Sequence, residues 1–502
     1  MISCHYNVIM KLIRFFLPRI EHILFAAIFW GIVASGPRIL NFDGDLPRHL
    51  LNGSLILQTG HVATTDIFSF RTVGFPSIPH EWLAQVIFSG VYQGLGLNGV
   101  ILLTALLILA TWIVVFRETM VKSNSLFASL FLTVLAMTAT QIHVLPRPHI
   151  FTYILTAVWV HLLERADDRK IPVRWILPLL MLLWVNVHGM FVIGIGICGI
   201  YLFGSFLDQP SITWLSTDKA KTLLIGGGLS LAATFLSPSG FHIWGAIASL
   251  SSNSYITSKI PEYQSANFHL PETWPYIILL LLTILGMART KTTWTHALLI
   301  AAFTGLSLYT SRMLPLFAII AVPIAAKAIA GSIHQEYPQS RLLRIEENIS
   351  RINSSSNGFI WIIAVILLAG GLLLSGRTID PGNRANVFDK QFFPVNAVDW
   401  LEAHPQQGHM FNEFDWGGYL LLRLYPEQQI FMDGHTHIYG EELTKEYERV
   451  ISLVPGWEQI LAKYDVTWVI VRRNSPLVNA LSQSDDWTVS YQDDTAIILT
   501  RQ

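Results

Sequence analysis

The stretch Ile20–Leu50, IEHILFAAIFWGIVASGPRILNFDGDLPRHL, decides the fold. It opens with an apolar run from Ile20 to about Leu40, long enough to cross a hydrocarbon layer, and passes at once into the acidic residues Asp43 and Asp45. Basic residues Lys11, Arg14 and Arg19 precede the run, and no small-residue cleavage site follows it. It therefore reads as a retained first membrane helix rather than a removed signal.

Ten further apolar runs lie at about 97–116, 125–142, 150–164, 175–188, 190–207, 222–236, 274–288, 294–309, 313–330 and 359–375. Apolar residues make up 52% of the 502 positions and charged residues 13%, against about 25% charged in ordinary soluble chains. Lipid is the solvent such a composition fits. The expectation is a polytopic α-helical membrane protein with about 11 transmembrane helices.

Charge divides the chain in two. From Gly376 onward there are 10 Lys/Arg against 18 Asp/Glu, and before it 23 against 16. With the N-terminus in the cytoplasm and the runs alternating, 17 of those 23 cations fall in or beside cytoplasmic segments, as the positive-inside rule asks. That places residues 1–380 in the membrane part, 41–81 in an outer loop and 386–502 in an extracytoplasmic α/β soluble domain. The implied location is the bacterial inner membrane. The excess acid of the last segment excludes nucleic acid as a partner. No Asp or Glu falls mid-run, which argues against an ion-coupled pump. Cys4 and Cys198 form no disulfide framework.

Six cations break the rule: Arg38, Arg48, Arg71, Arg147, Lys259 and Arg312. They fall on the outer side, where an anion such as a lipid-linked phosphate, anionic headgroups or nearby carboxylates would account for them. Pro146 and Pro148 flank Arg147, so its guanidinium is aimed by a restricted backbone. Leu46–Gln58 reads as an amphipathic helix in the interface, with Leu46, Leu50, Leu51 and Leu57 on its apolar side. Asp45 is either the N-cap of that helix or part of the chemistry; Asp43 is a general base or a metal ligand.

His49 shares a face with Asp45, and His80-Glu81-Trp82 closes the loop as an aromatic anchor or a polar cluster. Asn186 and His188, at lipid depth, either join neighbouring helices or face a wet cavity. His61, His143, His149, His242 and His269 lie on the same side, as does Glu262. With Asp43, Glu262, Arg147 and Arg312, these histidines are expected to ring one outward-facing cavity. They show no tight zinc spacing such as HxxxH.

Beyond Asn386 the pattern shortens to α/β alternation, with helices expected at 395–403, 415–424, 440–451 and 455–464. Strands are expected at 408–412, 428–432, 466–471, 487–491 and 495–500. Asp415-Trp-Gly-Gly418 reads as a capped helix start, and Asp433-Gly-His435-Thr-His437 as a post-strand loop that holds a metal or covers the outer cavity.

The chain resembles the GT-C class of membrane glycosyltransferases, and more closely a set of bacterial GT-C-like membrane proteins with a C-terminal soluble domain. The resemblance spans nearly the whole length. It is carried by Asp43-Gly-Asp45…His49, Asp66-Ile-Phe-Ser69, His80-Glu-Trp-Leu83, Arg147-Pro-His149, Trp184-Val-Asn186-Val-His188-Gly189, Ser237-Pro-Ser-Gly240 and Arg312. Asn412-Glu-Phe-Asp-Trp-Gly-Gly-Tyr419 and Asp433-Gly434…Tyr439-Gly440 continue it. One departure stands out: an arginine is expected after Gly434, and His435 is there.

The resemblance implies transfer of a sugar from a polyprenyl-phosphate donor to a lipid, glycan or protein acceptor at the outer face. It gives Asp43 and Asp45 the catalytic part, with a divalent metal as an option. Arg147 and Arg312 would hold the phosphate, with His49, His80, Glu81, His149, His188 and Glu262 beside them. Rival readings are a lipid-linked glycan flippase and a non-catalytic assembly protein for envelope polysaccharide.

Overall fold

The structure is a computed structural model that describes residues 15–42 and 44–502. Asp43, Lys11 and Arg14 lie outside the described residues. Each of the eleven apolar runs coincides with a helix, from Ile20–Ala34 to Ile360–Leu374. By length and composition, however, five helices among the described residues can cross a membrane: Trp82–Ser123, Leu126–His143, Phe191–Asp208, Pro271–Ala288 and Ser311–Glu336. A sixth arises if Arg341–Ser355 and Ile360–Leu374, bent by 69°, count together. Ile20–Ala34 has 15 residues, a rise of only about 22 Å at 1.5 Å per residue, short of a ~30 Å hydrocarbon core. His149–Leu163, Val173–Val187 and Trp294–Tyr309 are similarly short. The expected count of 11 spans is thus not reached by these criteria.

Leu314–Glu336 runs through the middle of the helical core, buried continuously from Leu314 to Ala326. Trp82–Ser123 is two helices joined at Gly96, whose φ of 62° lies in the left-handed region open to glycine. The break separates an outer segment ending at Leu95 from the span that begins at Leu97.

The Asp45–Thr59 helix crosses that outer segment so closely that a Cβ on Gly53 would meet the Gln85 carbonyl oxygen at 2.0 Å. Its apolar side does not lie in lipid as expected. Leu46 and Leu50 are buried against the membrane helices, and Leu51 packs into the C-terminal unit. Leu57, 46% exposed, alone of the four stays outside. The helix is a wedge between two protein cores.

The C-terminal residues carry one four-stranded sheet, β1 (His409–Asn412), β2 (Val466–Arg472), β3 (Trp487–Gln492) and β4 (Ala496–Arg501), in the order β1-β2-β4-β3. β1 pairs parallel with β2, and the other two pairings are antiparallel. Alternation along β1 and β2 feeds two cores. Met410, Trp468 and Ile470 face one side with Val398, Leu401 and Tyr419. Phe411, Val469 and Val471 face the other with Tyr447 and Leu461. The unit is therefore three-layered.

The strand expected at 428–432 is absent. Ile430 makes a single parallel bridge to Ser69, its amide donating to the Phe68 carbonyl at 3.0 Å. The side chain of Asn412 takes over the rest, its Oδ1 accepting from the Phe431 amide at 2.8 Å and its Nδ2 donating to the Met432 carbonyl at 2.8 Å. Side-chain hydrogen bonds thus satisfy backbone groups that a ladder would otherwise pair. Leu51 and Phe68 lie in the same buried cluster as Trp416 and Ile430, so the outer loop and the C-terminal unit share a core.

Candidate active site

Glycines bring the site together. A Cβ on Gly44 would meet the Asp415 carbonyl at 2.1 Å, one on Gly418 the Gly44 carbonyl at 2.6 Å, and one on Gly434 Asp45 Oδ1 at 2.3 Å. The start of the Asp45–Thr59 helix is thereby pressed against both C-terminal motifs. Asp415 does not cap a helix as expected: that helix, Gly417–Leu424, has Trp416 at its N-cap, and Asp415 Oδ2 accepts from Arg472 at 3.0 Å. Asp45 is not an N-cap either. Gly44 holds that position, and the Asp45 carboxylate pairs with Arg147 Nη2 at 3.2 Å.

Between the helix ends, the 41–81 loop and the sheet unit lies a cavity of about 1550 Å³. Asp45, His49, His80, Glu81, Arg147, His149, His188, Glu262 and Arg312 all line it. Of the other outer histidines, His242 joins them; His61, His143 and His269 do not line it, correcting the expected ring. Trp82 Nε1 donates to Asn186 Oδ1 at 2.7 Å, so Asn186 serves the interhelical hydrogen bond. His188 does both things, bonding Thr152 Oγ1 through Nδ1 at 2.8 Å and facing Glu81 through Nε2 at 3.5 Å.

One wall is a bridge of four charges. Arg147 Nη1 donates to Glu262 Oε1 at 2.9 Å while its Nη2 meets Asp45. Arg312 donates to the Tyr263 hydroxyl at 2.9 Å and lies 3.9 Å from Glu262 Oε2. Burial would raise the Glu262 carboxyl, but Arg147 and Arg312 outweigh it and hold it below its ordinary value.

Beside it is a cluster of imidazoles around Glu81, with His188 Nε2 at 3.5 Å, His80 Nε2 at 3.7 Å and His49 Nδ1 at 4.0 Å. Burial pushes the Glu81 carboxyl up, and these neighbours bring it down to about 2. His435 and His437 lie beside this group, the His435 ring tilted at 57° to His49 with centroids 6.1 Å apart and the His437 ring edge-on to His80 at 5.9 Å. Burial drives both below the ordinary imidazole value, His437 to about 3, and the nearby Arg48 adds to the effect. One ligand atom each from His49, Glu81 and His435 lies within 4.8 Å of the others, a set able to hold a metal ion.

Five of the six rule-breaking cations meet carboxylates already supplied by the protein, Arg312 through Glu262 as described above. Arg71 Nη2 donates to Glu446 Oε2 at 2.8 Å and stacks over Phe431, and Lys259 pairs with Glu448 at 2.9 Å. Arg147 has Glu262 and Asp45, as above. Arg48, 3% exposed, is clamped between Asp433 and Asp66. Reading the residues singly missed this clamp. Asp433 accordingly faces Arg48, while His435 of the same motif turns to Glu81. The signals for it were that Arg48 is one of the rule-breaking cations and that Asp66 and Asp433 both belong to the motif pattern.

No protein-family model and no curated protein matches the sequence. Comparison with solved structures is different: the fold is similar to that of GT-C glycosyltransferases. The oligosaccharyltransferase AglB of Archaeoglobus fulgidus, solved with an inhibitory peptide and dolichol-phosphate, aligns with a TM-score of 0.56 at 11% identity. That match covers 90% of this chain and 69% of that one. ArnT from Cupriavidus metallidurans, solved with undecaprenyl phosphate, aligns at 0.51 and 14% identity, over 96% of this chain and 97% of that one. The mycobacterial arabinofuranosyltransferase AftD aligns at 0.55 and 13% identity, over 97% and 42%.

Proposed function

We propose that the protein transfers a sugar from a polyprenyl-phosphate donor to an acceptor hydroxyl or amide inside this cavity. The observation that carries it is the pairing of two carboxylates with two guanidiniums, Asp45 with Arg147 and Glu262 with Arg147 and Arg312, in the wall of one 1550 Å³ cavity on a GT-C fold. The acceptor gives its proton to Asp43 or Asp45, and its heteroatom attacks the anomeric carbon. The bond from that carbon to the phosphate oxygen breaks, and the lipid phosphate departs with the electron pair. Arg147 and Arg312 stabilise the charge that develops on it. An incoming phosphate competes with Asp45 for Arg147, which frees the Asp45 carboxylate to act as base.

The cation distribution supports a cytoplasmic N-terminus, eleven membrane passes by the eleven helical runs, and residues 386–502 on the extracytoplasmic side of a bacterial inner membrane. On this reading 1–380 is the membrane part, and the acceptor is a lipid, a glycan or a protein that reaches the cavity from outside.

The test is transfer in reconstituted vesicles from a panel of radiolabelled polyprenyl-phosphate sugars. Native protein is expected to label acceptor, and Asp43→Asn, Asp45→Asn and Arg147→Gln to lose at least about 100-fold, the usual size of an acid–base or oxyanion contribution. Donor that binds and crosses the bilayer without ever being cleaved would favour a flippase; donor bound and neither moved nor cleaved, an assembly protein.

A further inference from the structure

Arg341–Ser355 is a helix between two apolar ones, Leu314–Glu336 and Ile360–Leu374, and meets the second at 69°. At 3.6 residues per turn, its Leu342, Ile345, Ile349 and Ile352 fall within about 80° of one another. Leu342, Ile345 and Ile352 are exposed, the last by 68%. Arg341 borders that stripe, with Arg344 and Arg351 next around the helix, and all three are exposed. Of the two carboxylates on the helix, Glu347 is exposed with them and Glu346 is buried. We infer that this helix lies flat in the membrane interface with its stripe in the hydrocarbon, and that Arg341, Arg344 and Arg351 hold the phosphates of anionic phospholipids.

The side turned to the protein fixes the helix in that position. Glu346 Oε1 accepts from Ser125 Oγ at 2.7 Å and from the Phe127 amide at 2.9 Å, at the start of the Leu126–Thr140 helix. The Asn353 side chain accepts from the Ile20 amide at 2.8 Å and donates to Glu21 at 2.7 Å, at the start of Ile20–Ala34. Those two helices lead at their other ends to Arg147 and Asn41 in the cavity wall, so Arg341–Ser355 lies at the end of the bundle away from the cavity. Exposed aromatic residues bracket it, Tyr337 before it and Phe359 and Trp361 after it. Trp361 keeps its indole N–H on the Phe16 carbonyl at 2.7 Å, the amphipathic placement of a tryptophan at an interface. A span that continued through the bend would carry three guanidiniums into lipid, a cost that lying flat avoids. Guanidiniums fit phosphate oxygens bidentately, which a lipid headgroup supplies. On the proposed topology this is the cytoplasmic leaflet, whose surface is anionic.

The inference does not depend on the transfer reading, and its test uses neither sugar nor membrane sidedness. The full chain with Cys4→Ser and Cys198→Ala carries one nitroxide, attached at Ile345→Cys, Ile352→Cys or Glu347→Cys, in nanodiscs of phosphatidylglycerol and phosphatidylcholine. Labels replacing Ile345 and Ile352 are expected to meet oxygen and be shielded from a water-soluble nickel chelate, and the label replacing Glu347 the reverse. In detergent, dioctanoyl phosphatidylglycerol and dioctanoyl phosphatidylcholine are titrated and binding is read from the unfolding temperature. Arg341→Gln, Arg344→Gln and Arg351→Gln are each expected to weaken phosphatidylglycerol binding about fivefold, the effect of one cation at an anionic surface. The triple variant should bind the two lipids alike, while Arg473→Gln, an exposed cation of the C-terminal unit, keeps the native preference. Size exclusion checks that each variant is folded. Labels replacing Ile345 and Ile352 in water, or all three shielded at the depth of a span, overturn the flat placement. An unaltered preference in the folded triple variant, or inorganic phosphate binding as tightly as the lipid, overturns the phospholipid site.

Discussion

The Arg48 guanidinium shows how a buried charge is held. With Asp433 and Asp66 both almost fully buried beside it, removing the cation strands two carboxylates out of water. Arg48→Met is therefore expected to cost about 3–5 kcal/mol, read as a large drop in unfolding temperature in detergent. Adding Asp433→Asn should recover part of the loss, since one stranded charge is gone; no recovery would mean the clamp is not what the substitution breaks. Glu262 makes a pH-dependent prediction. Burial opposes its ionisation, while Arg147 and Arg312, helped by His149 and His143, favour it and hold its folded value below 4.5. A lowered carboxyl contributes its full stability above the unfolded value and loses it as pH falls through the folded one. The stability advantage of native protein over Glu262→Gln should thus be constant above about pH 4.5 and shrink below it. An advantage that grows on acidification would contradict this. Arg147 and Arg312 were legible as unusual because the alternating-span reading sets them against the positive-inside rule. The clamp was not, because Arg48 and Asp433 are 385 residues apart.

Helices were the most legible elements, since an apolar run leaves the backbone little choice but to bond itself. Their packing was not legible. The Asp45–Thr59 helix has the pattern of an interfacial helix and is instead covered by protein on both sides. Gly53 marks the closest approach, and the atom a Cβ would strike there is backbone, which cannot swing away. Gly53→Ala is expected to destabilise by about 1–3 kcal/mol, as overpacking does. Gly90, in the neighbouring helix, has nothing within 4 Å of a Cβ. Gly90→Ala should be neutral or stabilising by up to about 1 kcal/mol through helix propensity. Thermal unfolding of both variants separates close approach from a general intolerance of side chains. The strand that failed to form at 428–432 teaches the same lesson. Its apolar run Ile430–Met432 is buried, but its neighbours are one loop residue and the Asn412 side chain, not a ladder.

At the scale of the molecule, the outer loop and the C-terminal unit behave as one body. Arg71 donates to Glu446 and stacks over Phe431 and Tyr464, and Leu51 and Phe68 pack among C-terminal side chains. Deleting 386–502 should open the loop to water. Trypsin is then expected to cut after Arg71, a bond the intact chain protects; protection that survives the deletion would show that the loop folds unaided. The order of apolar runs, the asymmetry of charge and the turn-rich C-terminal pattern determined a polytopic helical membrane protein with an α/β end, because lipid exclusion and hydrophobic period are properties of local sequence. Local sequence also marked most of the residues that line the cavity. Only the tertiary structure decided that Asp45 pairs with Arg147 instead of capping its helix, that Asp433 answers Arg48, and that His49, Glu81 and His435 converge. Those contacts join segments separated by tens to hundreds of residues, and their geometry rests on glycines whose missing side chains acquire meaning only when two backbones meet.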